Sequence, residues 1–201
     1  MIDLYQLHAF DPVTPLVESL GILQHLIRQG KIRAYGLSNY SAAQLADACR
    51  IAEQYSWILP ASVQVWWNVL DRDRGTALQA LAGEKKIALL PYGVLARGLL
   101  SGKYTVAGDV PKESRAAESQ MLRDDMTVER LCVAERLDAY ARTLGFTGAQ
   151  LAVAWMRNQA GVASCVIGVR SIAQLSEMVA ATEWRLTEGE MIHVDQIDKQ
   201  M

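Results

Sequence analysis

Apolar positions follow two different spacings, which alternate along the whole chain. Five short strand-like segments lie at Ile2–Leu7, Ile32–Leu37, Ser62–Val65, Ile87–Pro91 and Ser164–Ile167. Between them, apolar residues recur at the spacing of an amphipathic helix, as at Val17, Leu20, Leu23 and Ile27. Alternation of helices with predominantly apolar strands indicates an α/β protein whose parallel strands are buried on both faces.

Capping signals predict where the helices begin. Thr14, followed by Pro15 at the first helical position, starts a helix that Gly30 ends. A Ser or Thr followed three residues later by Gln or Glu predicts further helix starts at Ser41, Thr147, Ser171 and Thr187. The remaining segments are expected to be helices at Arg74–Leu81, Val128–Leu144 and Gln150–Asn158, and a loop at Thr105–Asp125.

Two parallel architectures fit this alternation, a doubly wound open sheet and a (β/α)8 barrel. The doubly wound sheet needs a phosphate-binding glycine turn after its first strand, and residues 8–12 contain no glycine. A complete barrel takes about 250 residues, whereas this chain has 201 and five strand–helix units. The barrel interpretation therefore predicts that three units are missing, and because Met1 begins directly on a strand-like segment, we expect an N-terminal truncation.

Composition narrows the classes of function. The net charge of −2 gives no reason to expect a nucleic-acid or anionic membrane partner. No apolar run approaches the roughly 18 residues of a membrane-spanning helix. The three cysteines are odd in number and far apart, at Cys49, Cys132 and Cys165. This pattern favours a reduced, cytoplasmic protein, and no Cys or His spacing suggests a metal site.

Polar residues and glycines lie at the carboxyl ends of the predicted strands. They are His8, Ser38 with Asn39, Gln64, Tyr92 with Gly93, and residues 168–171. In a parallel barrel the carboxyl ends of all strands share one face, which carries the active site. Packing alone does not explain a polar group at the end of every strand, so we expect these residues to form the functional site.

Five consecutive segments resemble the aldo-keto reductase family in their order and spacing, and together they span essentially the whole chain. They are Ile2–His8, Gly30–Tyr40, Val63–Asn68, Leu90–Tyr104 and Val166–Leu175. The resemblance implies that residues 1–201 are one partial TIM barrel domain, holding strands four to eight and a C-terminal helix. It also implies NADP(H) as the cofactor and an aldehyde or ketone as the substrate.

The resemblance assigns roles to the first strand ends. His8 matches the catalytic histidine that orients or polarises the substrate carbonyl. The residues that hydrogen-bond the nicotinamide carboxamide match Ser38, Asn39 and Gln64, whose hydroxyl and amide groups can donate and accept. Trp67 stands where the family usually has a tyrosine stacked on the nicotinamide. Trp66 is expected to point the opposite way and to pack inside the protein.

The rest of the implied cofactor site follows later in the chain. Backbone N–H groups of residues 93–98 would wrap the pyrophosphate, with Arg97 and Lys103 supplying charge. Arg170 and Ser171, at a helix N-terminus, would bind the 2′-phosphate that distinguishes NADPH from NADH. The implied cofactor-binding residues in this part are Tyr92, Gly93, Leu95, Arg97, Gly98, Lys103, Gly168, Arg170, Ser171 and, toward the adenosine, Gln174 and Glu177.

The family's catalytic Asp, Tyr and Lys lie on its first three strands and have no counterpart in this sequence. Tyr5 cannot replace the tyrosine, because strand alternation points it away from His8. Two hypotheses follow: an NADPH-dependent carbonyl reductase present as a fragment, or a catalytically inactive cofactor-binding or interaction module. In both cases the open barrel edges at Ile2–Leu7 and Ser164–Ile167 are expected to promote self-association.

Overall fold

A computed structural model of the chain describes residues 1–197, which form two compact units. The first unit comprises Met1–Trp67, Asp73–Tyr92 and Ala160–Ser164. The second comprises Asn68–Arg72, Gly93–Gln159 and the described residues from Cys165 onward. Every strand of the described chain lies in the first unit, and the second unit is helical.

The first unit contains a parallel sheet whose strands follow one another in sequence order. The strands are β1 (Ile2–Leu7), β2 (Ile32–Ser38), β3 (Ser62–Trp66) and β4 (Ala88–Tyr92). In the register of the sheet, Gln6 lies opposite Gly36, and Gly36 lies opposite Ser62. This order, with a helix after each of the first three strands, confirms a parallel α/β arrangement.

Helices cover one face of this sheet and fill the second unit. In the first unit they are α1 (Leu16–Arg28), α2 (Ala42–Gln54) and α3 (Asp73–Lys85). In the second they are a 3-10 helix (Ala96–Ser101), α4 (Arg115–Glu118), α5 (Gln120–Asp125), α6 (Val128–Thr143), α7 (Gly148–Arg157), α8 (Ile172–Ala181) and α9 (Glu188–Ile197). The expected caps at Ser41, Thr147, Ser171 and Thr187 are confirmed, whereas Pro15 rather than Thr14 is the N-cap of α1.

The two faces of the sheet differ in burial. On the helix-covered face, side chains of β2, β3 and β4 are completely buried, together with Leu20 of α1 and Leu45 of α2. The strand members of this core are Tyr35, Leu37, Val63 and Leu89. The opposite face carries partly exposed side chains, among them Gln64, Trp66 and Tyr92. Side chains that could meet a ligand in the first unit therefore lie on the face away from the helices.

Two predicted elements are wrong. Ser164–Ile167 is not a strand; the pairing with β4 comes earlier, through a single parallel bridge between Leu89 and Val162. Leu89 exchanges backbone hydrogen bonds with Gly161 and Ala163, and this short pairing stops before Ser164. The expected loop at Thr105–Asp125 contains α4 and α5 instead, and each of these helices buries one apolar residue completely, Ala116 and Leu122.

β1 forms an open edge of the described sheet, as predicted for Ile2–Leu7. It pairs with β2 on one side only, and its first residues are exposed, including 37% of Leu4. An edge strand offers unpaired backbone N–H and C=O groups to another chain. Within residues 1–197, no helix is both long and apolar enough to cross a membrane.

Candidate functional site

The side chain of Asn39 ties together the carboxyl ends of β1, β2 and β4. Its Nδ2 donates to the backbone oxygen of His8 at 3.0 Å and to Oγ of Ser38 at 3.2 Å. Its Oδ1 accepts the hydroxyl of Tyr92 at 2.7 Å. The φ of Asn39 is 59°, a left-handed conformation that asparagine adopts more readily than most residues. Both N–H donors of this amide are therefore engaged within the chain, and Asn39 positions its neighbours.

His8 lies one residue beyond β1 and is exposed. Asn39 holds its backbone oxygen, while its imidazole makes no hydrogen bond to the part of the chain that the structure describes. Both ring nitrogens are consequently available to a ligand at the end of the strand.

Gln64 of β3 offers a donor on the partly exposed face. Its Oε1 accepts from Nε2 of Gln6, in β1, at 3.0 Å, and its own Nε2 has no partner within residues 1–197. The sequence analysis missed Gln6, which lies in β1 two residues before His8. The structure thus joins Asn39 to the backbone of His8 at the strand ends, and Gln6 to Gln64 on the partly exposed face.

The two tryptophans at the end of β3 are oriented opposite to expectation. Trp67 is only 1% exposed and packs against Gly75 of α3, so no face of its indole is open to a ligand. Trp66 lies with Gln64 on the partly exposed face and meets the ring of Tyr92 edge-on, with 5.4 Å between ring centroids. The expected stacking role of Trp67 is thus corrected: the rings available on this face belong to Trp66 and Tyr92.

In the second unit, residues 93–98 form a tight loop with several left-handed residues. The φ angles of Gly93, Arg97 and Gly98 are 68°, 56° and 104°. Asn68, a residue that the sequence analysis did not single out, is fully buried and donates to the backbone oxygen of Gly93 at 3.2 Å. The N–H of Gly98 donates to the oxygen of Leu95 at 2.8 Å. Gly98 is therefore not a free backbone donor, which corrects one member of the expected pyrophosphate cradle.

The two cations expected near the phosphates differ in their surroundings. Arg97 forms an ion pair with Asp125 at 3.2 Å, and Asp125 also lies 3.4 Å from Nε of Arg130. Lys103 is exposed, with its Nζ 5.2 Å from the ring centroid of Tyr104. Arg97 is thus part of a charged network inside the second unit, whereas the ammonium of Lys103 faces solvent.

Arg170, Ser171 and Gln174 come together at the start of α8, as expected. Oγ of Ser171 accepts the N–H of Gln174 at 3.2 Å, and Oε1 of Gln174 accepts the N–H of Arg170 at 2.8 Å. The Gln174 amide oxygen is thus used in capping. The Arg170 side chain is 58% exposed, and its nearest carboxylate is Glu118 at 3.4 Å. An exposed guanidinium at a helix N-terminus is a suitable phosphate ligand.

Glu177 forms a hydrogen bond within the second unit. Its Oε1 accepts the hydroxyl of Thr147 at 2.6 Å, and Thr147 is the N-cap of α7. The carboxylate therefore links α8 to the N-cap of α7 within the second unit, and its expected adenosine role stays a prediction. Gly168 is exposed before α8, with open space around its Cα. Across residues 1–197, no cluster of three or more His, Cys, Asp or Glu side chains could hold a metal ion.

A parallel sheet with hydrogen-bond donors at its strand ends is typical of an α/β enzyme. Comparison with known proteins identifies the protein family. The model of the aldo/keto reductase family matches residues 1–199, and this chain belongs to that family.

Individual proteins similar to this chain support the family assignment. The chain is 30% identical to the aldo-keto reductase YhdN of Bacillus subtilis, covering 98% of this chain and 58% of that protein. It is 28% identical to the putative aryl-alcohol dehydrogenase AAD16 of Saccharomyces cerevisiae, over 97% of this chain and 56% of that protein. The solved structure of the glycerol dehydrogenase AKR11B4 from Gluconobacter oxydans matches with a TM-score of 0.81 and 31% identity, covering 98% of this chain and 58% of that one. The chain thus spans a little over half the length of these relatives.

Proposed function

We propose that this chain is part of an NADPH-dependent carbonyl reductase, in which His8 hydrogen-bonds the oxygen of an aldehyde or ketone. Membership of an oxidoreductase family supports the reaction class. The observations that carry the site are the Gln64 Nε2 donor, which has no partner in the described chain, and the exposed His8, whose backbone Asn39 holds at the end of β1. When bound, NADPH supplies the hydride that a carbonyl carbon accepts.

The groups of the first unit fit the nicotinamide end of this cofactor. Nε2 of Gln64 can donate to the carboxamide oxygen, which needs such a donor once it leaves water. The ring of Tyr92 or Trp66 supplies an aromatic surface for stacking. Asn39 fixes Ser38, Tyr92 and the backbone of His8 relative to one another. Fixed geometry of this kind is how enzymes lower the entropic cost of reaction.

The groups of the second unit fit the phosphates. Arg170 and the N-terminus of α8 offer charge and backbone donors to a 2′-phosphate. Lys103 and the loop at residues 93–98 offer further positive charge and N–H groups to a pyrophosphate. On this proposal, Gln174 contributes through the cap it forms, because its amide oxygen already binds the N–H of Arg170.

Within a TIM barrel, we propose that β1 to β4 correspond to strands four to seven and that α8 follows the position of strand eight. His8 is then one of four catalytic side chains, and Asp, Tyr and Lys have no counterpart in the 201 residues. The free cysteines are consistent with the proposed cytoplasmic location.

Cofactor preference gives the direct test. Arg170→Ala should weaken NADPH binding about ten- to a hundredfold, because a charge-assisted contact to phosphate contributes about 1.5–3 kcal/mol. NADH binding should be unchanged. Arg50→Ala is a matched control: its side chain is 64% exposed and forms a similarly long ion pair, at 3.5 Å, with Asp47. Equal wild-type affinities for NADPH and NADH, or no effect of Arg170→Ala, would refute the assignment.

Turnover tests the role of the missing side chains. With NADPH and glyceraldehyde or benzaldehyde, the 201-residue chain should turn over more slowly than about 1 per second. General acid catalysis needs a proton donor of matched pKa, and the family's tyrosine has no counterpart here. Turnover at or above that rate would mean that another group of this chain supplies the proton.

A further inference from the structure

We infer that Gln6 is a positioning residue that orients the amide of Gln64, so that Gln64 presents an N–H donor and not an acceptor to the ligand. This inference rests on the proposed function, because the ligand group in question is the carboxamide of NADP(H). Gln6 itself would touch neither cofactor nor substrate. It would act through one hydrogen bond, from its Nε2 to Oε1 of Gln64 at 3.0 Å.

The contact is unusual because the two glutamines belong to strands that are not neighbours. β2 lies between β1 and β3, and Gly36 is the β2 residue opposite Gln6. A Cβ at Gly36 would lie 3.1 Å from Oε1 and 3.2 Å from Cγ of Gln6. The same Cβ would lie 2.4 Å from Oγ of Ser62, so glycine at residue 36 leaves the space between Gln6 and Ser62 through which Gln6 crosses β2. The sequence thus combines a long amide in β1 with a glycine in β2, and this combination makes the bridge to Gln64.

The bridge decides the polarity that Gln64 shows. A glutamine amide has one oxygen acceptor and two N–H donors. Because Gln6 donates to Oε1 of Gln64, the Nε2 group of Gln64 is turned away from Gln6 and stays without a partner in the described chain. A ligand meeting this group must offer an acceptor, such as the carbonyl oxygen of a carboxamide. Without Gln6, the Gln64 amide could rotate and present either end.

Gln6→Glu provides the sharpest test, because a carboxylate only accepts hydrogen bonds. Gln64 must then turn its Nε2 toward residue 6 and present Oε1 to the ligand. A carbonyl oxygen of the ligand would then face Oε1 without a hydrogen bond. The reduced 3-acetylpyridine analogue of NADPH, whose ring substituent has only an acceptor, should bind at least about tenfold more weakly. NADPH should lose less affinity, because its carboxamide can turn its own N–H donor toward Oε1 of Gln64. Binding of 2′,5′-ADP, which has no nicotinamide ring, should not change.

Gln44→Glu is the matched control for the added charge. Oε1 of Gln44 accepts the N–H of Ser41 in the capping box of α2, and a glutamate fills that position equally well. This variant lies in the same unit and introduces the same substitution without touching Gln64. It should bind all three probes like the unaltered chain.

A double-mutant cycle covers the case in which Gln6→Glu does not fold. Gln6→Met should weaken binding of the 3-acetylpyridine analogue several-fold and have no further effect in a Gln64→Met background, because Gln6 acts only through Gln64. Additive losses, unchanged binding of the 3-acetylpyridine analogue in both Gln6 variants, or equal losses for 2′,5′-ADP would overturn the inference and leave the proposed function standing. Failure of the unaltered chain to bind either NADPH or 2′,5′-ADP would overturn both.

Discussion

Trp67 packs directly over Gly75 of α3, and this contact leaves no room for a methyl group. A Cβ at residue 75 would lie 1.9 Å from Cδ2 and 2.2 Å from Cγ of the indole. Ordinary contact between carbon atoms requires roughly 3.5–4.0 Å. In Gly75→Ala the indole or the helix must therefore shift by about 1.5 Å or more. Trp67 is 1% exposed and enclosed by core side chains, so the indole has nowhere to move without disturbing them.

The size of the effect follows from a comparison within α3. Overpacking of a filled core typically costs about 1–3 kcal/mol. Glycine to alanine in a helix contributes the opposite way, stabilising by about 0.5–1 kcal/mol. Gly83 lies in the same helix with nothing within 4 Å of the position of an added Cβ. Gly83→Ala therefore measures the helix stabilisation without any overpacking. The difference in free energy of unfolding between the two variants is then the strain of the contact, about 1–3 kcal/mol.

Urea denaturation of the two variants and the unaltered chain measures these differences. We expect Gly83→Ala to raise the midpoint and Gly75→Ala to lower it, with equal slopes. Replacing Trp67 with leucine should remove the strain. In that background, Gly75→Ala should leave the free energy of unfolding unchanged or raise it. A Gly75→Ala chain as stable as Gly83→Ala would refute the buried position of Trp67 and restore its candidacy as a stacking residue.

Three further predictions concern stability and association. Asn68→Ala should lower the free energy of unfolding by about 2–4 kcal/mol, because the buried amide makes hydrogen bonds to Asp71, Leu70 and Gly93. A variant with the same urea midpoint as the unaltered chain would contradict this. Burial raises the pKa of the Cys165 thiol from 9.0 to about 11. The unfolded chain therefore loses this proton first, and the free energy of unfolding should fall between pH 9 and 11, by at most about 2.7 kcal/mol. Cys165→Ala should flatten that fall. Leu4→Lys, on the open edge of β1, should reduce self-association in sedimentation measurements.

The sequence predicts those features that depend on neighbouring residues. The alternation of strands and helices and the caps at Ser41 and Thr147 are confirmed, because periodicity and capping act within a few residues. Strand alternation counted from Gln64 also places Trp66 on the face of Gln64. The family resemblance pointed instead to Trp67, and the structure follows the alternation.

Contacts between distant parts of the chain account for the other differences. Glu177 binds Thr147, thirty residues earlier, and nothing in the local pattern of α8 predicts this partner. Gln6 reaches Gln64 across β2 only because Gly36 lies between them in the register of the sheet. The segment Ser164–Ile167 has the composition of a strand, but the residue that pairs with β4 is Val162, which precedes this segment. Register and long-range partners are not encoded in a residue's immediate neighbours.

Hydrogen exchange in the presence of NADPH tests the central claim most directly. Amide exchange, read by mass spectrometry, should slow at saturating NADPH in peptides that contain Ser38–Asn39, Gln64, residues 93–98 and the start of α8 at Ser171. Peptides from α1, on the helix-covered face of the first unit, should not change. Saturable protection at these strand ends and at α8 is the result that the proposed cofactor site predicts. No change at any of them, with NADPH present far above the concentration of the chain, would contradict the account.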